Sequence, residues 1–388
     1  MICSLGSVAN AAAQTFVKTG DRVWFTGDTA LLDGQKQISP TTPFVILSSG
    51  NPLPYLGMWT RDIGGQSYGP NDPGVSNGRG ALNVGLLAKV CGIVTYRDTS
   101  ATPAFFYVWD GANKMRSALN DGSGNYGVRI LHSGLVDPDG TGPLPVREVV
   151  PGQDRVEVAG VVSVNQTAVP GKTIPEILPA SAPVILSDAD FTTISEPTGS
   201  EITQGRNLGS LPAVPKDPNP AVVFAPVSSE ILDYCLFRWE AAGQGLLAYD
   251  MFDPEGFGGM LLGDGWWLMA LSNYTVSYQG RVQTDAQWYT LPCAGWAIMG
   301  QPFGHSTYWS DVKVHNGGEA ISLETAARTR NWLDSVIIGW NSMTGSSFDV
   351  GLPDDYCSSD RLVPWHGYWV HPHQAGLSLI IPESPVAP

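Results

Sequence analysis

The sequence predicts a modular all-β protein: one or two OB-like barrels, then two tandem β-sandwich-like repeats, with few short helices. Three observations predict it. Gly (45) and Pro (30) together supply 75 of the 388 residues, so turns are frequent and long helices few. Short apolar segments with two-residue alternation recur in the first half. In the second half a block of about 100 residues occurs twice. Hydrophobic residues are 43% of the chain, enough for packed cores. The net charge of −15 argues against a nucleic-acid partner, whose affinity rests on phosphate neutralisation. No run of 18 apolar residues occurs, so no membrane-inserted helix is expected.

Residues 1–80 read as a partial OB-like unit and a connector, with a short helix over Ala9–Ala13. Within them, Lys18–Gly27 echoes Gly152–Gly160 around a shared Asp-Arg-Val. Residues 81–190 read as an OB-fold domain with five strands. Leu86–Thr95 alternates and holds Gly92 at a bulge or sharp bend. Phe105–Trp109 is aromatic and β-branched and stops at Asp110-Gly111, a turn pair. Gly127–Leu131 is the third strand. Arg155–Val164 is the fourth, interrupted by Gly160, and Ile174–Leu178 closes the set. Five strands with kinking glycines suggest a small closed barrel.

The composition changes near residue 190. Residues 1–190 carry 13 Lys/Arg and 16 Asp/Glu; residues 191–388 carry 8 and 20, and ten of the 13 tryptophans. The stretch 191–228, rich in Pro, Gly and Ser, reads as an extended connector running into the first repeat. The repeats cover 205–285 and 286–388. Gly205–Pro212 matches Gly295–Pro302, Leu236–Trp239 matches Val336–Trp340, and Gly263–Leu268 matches Trp365–Val370. Trp239 and Trp340 are 101 residues apart, and Trp267 and Trp369 are 102 apart. Each copy ends on a strand, Tyr274–Tyr278 or Leu377–Ile381. One helix is expected in the second copy, N-capped by Ser322, with Leu323, Ala326, Ala327 and Leu333 at helical spacing and Gly339 beyond its end.

The segments GLLAKVCGIVT, FFYVWDGA and VPGQDRVEVAGVV, over about residues 82–178, resemble the OB-fold repeats of uncharacterised exported bacterial proteins. The second half resembles the same family's modules of the form GWNxxGxPF…GYWV…LxIP. The resemblance implies export and supplies no catalytic residue.

Candidate sites are few. Asp137 and Asp139 share an Asp/Gly turn that is a weak calcium candidate, lacking the third acid and closing Glu of a full loop. Asp349, Asp354, Asp355 and Asp360 read as a solvated acidic loop. His371-Pro-His373 places two imidazoles on one strand face, short of a zinc set unless His366 or His305 joins. No nucleophile elbow, zinc-protease helix or phosphate-binding Gly loop occurs, so no enzyme activity and no cofactor are expected. Trp239, Trp340, Trp267 and Trp369 recur at matching repeat positions and read as packing residues. The non-repeated Trp288, Trp309 and Trp332 are then the candidates for stacking on a ligand. The five cysteines form no CxxC pair, and a Cys293–Cys357 disulfide stands beside the plainer reading of buried thiols.

These features lead to an expected role as an extracellular or cell-surface structural protein that self-associates as a homo-oligomer or polymer, although no signal peptide is visible. Leu377, Leu379, Ile380 and Ile381 form an apolar strand that can complete a neighbour's sheet in a fibre. The alternative is a carbohydrate-binding or adhesive module for a surface polysaccharide.

Overall fold

The computed structural model describes residues 20–32, 35–69, 72–101, 103–112, 125–131, 149–166, 171–195, 202–225, 227 and 229–384. Strands dominate, and the five barrel strands form close to the predicted places: β1 (Leu87–Asp98), β2 (Phe105–Trp109), β3 (Val128–Leu131), β4 (Arg155–Asn165) and β5 (Ile174–Pro179). They close in the order β1-β2-β3-β5-β4-β1, with β3 and β5 parallel and the other pairs antiparallel. Alternation fills the interior: Val90, Val94, Val108, Val128, Ile130, Val156, Val158, Val162 and Ile177 are all buried. β1 passes from β4 to β2 at Ile93. At the neighbouring Gly92 a Cβ would lie 2.4 Å from the Trp109 carbonyl oxygen, so the corner requires glycine. At the parallel seam, Arg129 and Glu176 form a buried ion pair of 2.7 Å.

The described part of the N-terminal segment forms ribbons. Arg22–Trp24 pairs with Val45–Ser48 and Gly27–Leu32 with Gln35–Pro40, making two two-stranded ribbons. Trp24, Val45 and Leu47 are exposed, with no second layer over them among the described residues.

The first repeat is a four-stranded antiparallel sheet of β6 (Gly205–Gly209), β7 (Leu236–Glu240), β8 (Gly245–Ala248) and β9 (Trp266–Ala270), in the order β6-β9-β7-β8. β10 (Ala286–Leu291) follows. The second repeat has β11 (Ala297–Gly300), β12 (Ile337–Asn341), β13 (Ser346–Val350) and β14 (Gly367–Val370), in the order β11-β14-β12-β13. The two orders are equivalent strand for strand. β15 (Leu377–Ile381) is the last strand among the described residues. The helix expected after Ser322 is shorter than its apolar spacing implied. Its wide turn covers Thr325–Thr329, with the Ser322 hydroxyl accepting from the Thr325 N–H, and Asn331 (φ 52°) ends it.

The parts are less separable than the composition suggested. Leu56–Gly57 lies parallel between β1 and β10, so the barrel's sheet continues through β10 and β15 into the second repeat. The Pro-rich join is packed, not an extended spacer. Leu211 and Ala213 are fully buried, and Val214–Pro215 and Thr192–Ser195 flank Ser277–Arg281 in a small sheet. Asn219 caps the helical turn Pro220–Val223.

Candidate functional site

The two repeats meet in reciprocal contacts. Trp239 packs on Trp369 with ring centroids 4.8 Å apart, and Trp340 packs on Trp267 at 5.6 Å, both edge to face. The Trp239 indole N–H donates to the Trp296 carbonyl (2.6 Å), and that of Trp340 donates to the Arg206 carbonyl (2.9 Å). Gly209 bridges His366, and Met299 bridges Asp264. Ser210 N–H donates to the Trp365 carbonyl (3.0 Å), and Gly300 N–H to the Gly263 carbonyl (2.8 Å). Each contact maps onto its mate when one copy is exchanged for the other. The repeats therefore form an internal dimer about an approximate two-fold axis.

Strand alternation explains which aromatics face this seam. On β9, Trp266 is buried in the first repeat's core and Trp267 points the other way. On β14, Tyr368 is buried and Trp369 points out. Trp239 and Trp340 follow buried Arg238 and Gly339 on β7 and β12. The outward rings, with Trp296, line an open groove of ≈ 440 Å³, whose remaining wall is Arg206, Ile338, Gly339 and Ser347. Trp296 occupies the position that the two-fold gives to Arg206, so one rim is aromatic and the other cationic.

Trp239 also borders a smaller chamber of ≈ 90 Å³, shared by the barrel connector and both repeats. The turn Thr60–Asp62 supplies Arg61 and Asp62; β7 supplies Arg238, β10 supplies Tyr289 and Thr290, and Asp264 comes from the turn before β9. Arg238 is fixed by Asp264 (3.0 Å) and by donating to the Phe257 and Gly259 carbonyls (both 2.7 Å). Arg61 lies 3.8 Å from Asp264 and over the Trp59 ring. Asp62 is 1% exposed, and neither of its oxygens has a well-formed hydrogen bond; the nearby Thr290 hydroxyl favours its charged form. Burial pushes the Asp62 carboxyl up to about 6 against the opposing pull of Arg61, the Thr290 hydroxyl and Arg79. The arrangement is an ion network that ties three parts of the chain together.

The predicted stacking residues lie elsewhere. Trp288 (2% exposed), Trp309 (0%) and Trp332 (7%) are in the cores, where Trp309 donates to the Ser335 carbonyl (2.8 Å) and Trp288 leans on His315. The repeated tryptophans, read from the sequence as packing residues, are the ones that line the groove. Recurrence marked a symmetric seam, not an interior. Leu377, Leu379 and Ile381 are buried, with Ile380 packed against the barrel core. β15 is paired on one edge with β10 and on the other with Lys313–His315, so both edges are filled by its own chain. Asp137 and Asp139 lie outside the described residues, as do Ala9–Ala13. In the acidic loop, Arg328 pairs with Asp355 (2.9 Å) and approaches Asp354. Cys91, Cys235, Cys293 and Cys357 are free thiols, so Cys293 and Cys357 are not joined. His371 and His373 converge on Asp334, a residue 37 positions from the nearer histidine.

Compared with known proteins, the chain matches no protein-family model, no curated protein and no solved structure.

Proposed function

We propose that this chain is a non-catalytic glycan-binding protein whose tryptophan groove holds a neutral polysaccharide, in keeping with a role at a cell surface. The observation that supports this is the convergence of five indoles, Trp239, Trp267, Trp296, Trp340 and Trp369, on one open groove. These rings are only half-buried, because on β9 and β14 it is the neighbours Trp266 and Tyr368 that fill the cores; besides joining the repeats, they leave ring surface open to the groove. An apolar cleft with a few polar groups suits a small or repeating ligand. Pyranose rings present C–H faces that stack on indoles, while Arg206 and Ser347 are placed to meet hydroxyls. The net charge of −15 disfavours anionic polymers. The groove carries the proposal in preference to the C-terminal strand, whose edges are occupied.

The test is a panel of neutral and acidic polysaccharides in affinity gels, followed by calorimetry on the hits. Retention by a neutral glycan is expected, and Trp340→Ala should weaken it roughly 30-fold, as truncation of a central aromatic anchor does. Absence of retention on every neutral glycan, or an unchanged affinity in Trp340→Ala, overturns the proposal.

A further inference from the structure

We propose that Asp334, His371 and His373 form a three-ligand site for one divalent transition-metal ion, with Zn²⁺ as the probe. The backbone builds the site. Leu333 and Pro372 form an antiparallel bridge, in which the Asp334 N–H donates to the His371 carbonyl (3.1 Å) and the His373 N–H to the Trp332 carbonyl (2.7 Å). This sets Asp334 directly across from His371, with His373 two residues along. One carboxylate oxygen then lies 3.0 Å from His371 Nδ1, and the other lies 2.8 Å from His373 Nε2. The three ligand atoms lie within 4.8 Å of one another. Ligands of a tetrahedral zinc ion stand roughly 3.3 Å apart, given bond lengths near 2.0–2.1 Å.

A hydrogen-bond count adds a second line of support. His373 Nδ1 lies 3.1 Å from the Asn331 carbonyl, which can only accept. The tautomer that donates there leaves the Nε2 lone pair facing a carboxylate oxygen. In that tautomer a metal ion held by both atoms would reconcile the two facing acceptors. A histidine that donates its far N–H to a backbone carbonyl while presenting the other nitrogen is the usual outer support of a metal ligand. Asn331 adopts φ 52° at the turn that aims this carbonyl. Imidazole and carboxylate together suit zinc and its first-row neighbours, and three protein ligands leave a coordination position open. His371 also packs at a tilt against Trp296, 4.7 Å between ring centroids, so the site adjoins the groove rim.

The experiment titrates the full chain with Zn²⁺ by calorimetry, alongside His371→Gln, His373→Gln, Asp334→Asn and the distant control His305→Gln. One ion per chain is expected for wild type and control, with at least tenfold weaker binding in each ligand variant. Urea unfolding of the metal-free variants checks the fold. Ni²⁺ quenching of tryptophan emission reads the site without altering a ligand: it should be saturable in wild type and reduced in Trp296→Phe. Absence of saturable Zn²⁺ binding by wild type, ligand variants that bind as tightly as wild type, or Ni²⁺ quenching that is unchanged in Trp296→Phe overturns the assignment.

Discussion

Replacing Asp62 by asparagine should stabilise the protein at neutral pH. Asp62 is 1% exposed, and its carboxyl is raised from 3.8 to about 6 by burial. The folded state thus holds this proton more tightly than the unfolded chain does. The carboxyl carries no penalty below the unfolded pKa, a growing one as pH rises from 3.8 to about 6, and the full one above. A gap of about two units is worth about 3 kcal/mol at pH 7.5, and roughly half of it develops between pH 5 and pH 7.5. Asn has the same shape, has no charge to bury, and can donate to the Thr290 hydroxyl. Attraction to Arg61 and Arg79 is lost in the variant, but the raised pKa is the balance after that attraction has acted. Urea unfolding of wild type and Asp62→Asn at the two pH values reads the difference directly. The variant should gain up to about 3 kcal/mol over wild type at pH 7.5 and clearly less at pH 5. Were Asp62→Asn less stable than wild type at pH 7.5, the guanidinium groups would outweigh burial and the reasoning would fail.

In the barrel, Arg129→Met should lose about 3–5 kcal/mol by stranding buried Glu176, whose carboxyl burial already raises. The double variant with Glu176→Met should recover most of that loss in the same urea assay; additive losses would refute the pairing. Gly92→Ala should lower barrel stability by about 1–3 kcal/mol or more, because its Cβ would meet the Trp109 carbonyl at 2.4 Å. An unchanged unfolding midpoint would show that the corner has slack.

The barrel was legible because its strands carry alternation and its corners carry glycine. The end of β1 was less so: Tyr96, Arg97 and Asp98 look like a loop, yet they pair with β2 across a bulge. The strand Leu56–Gly57 was not legible, since two residues have no period, and it is this strand that joins the barrel to β10. The Lys18–Gly27 echo starts a strand, Arg22–Trp24, that pairs with Val45–Ser48. At the site, the tryptophans and their spacing were visible but their pairing was not. Asp334 gave no signal at all, because its tie to His371 is a backbone bridge between distant segments. Asp62 was visible only as one residue of a connector; its burial comes from β7 and β10 closing over it.

The internal two-fold accounts for the placing of both the groove and the ion network. A repeat that packs on its own copy puts matching residues on the axis, so four tryptophans come from only two positions in the repeat. Neither copy alone can build the groove, since Trp239 needs Trp369 and Trp267 needs Trp340. The departures from symmetry are as informative. Arg238 in one copy is replaced by Gly339 in the other, and only the first anchors the ion network. A side chain at Gly339 would run into the Phe348 ring, which lies 2.3 Å from the place a Cβ would take, so arginine has no room there. Arg206 gives way to Trp296, which brings a fifth ring to the groove and a contact to His371. One copy thus carries the charges that fix the repeats to the barrel, and the other the extra aromatic surface. If the proposed glycan occupies the groove, that division of labour would let a near-symmetric scaffold tell the two ends of the ligand apart.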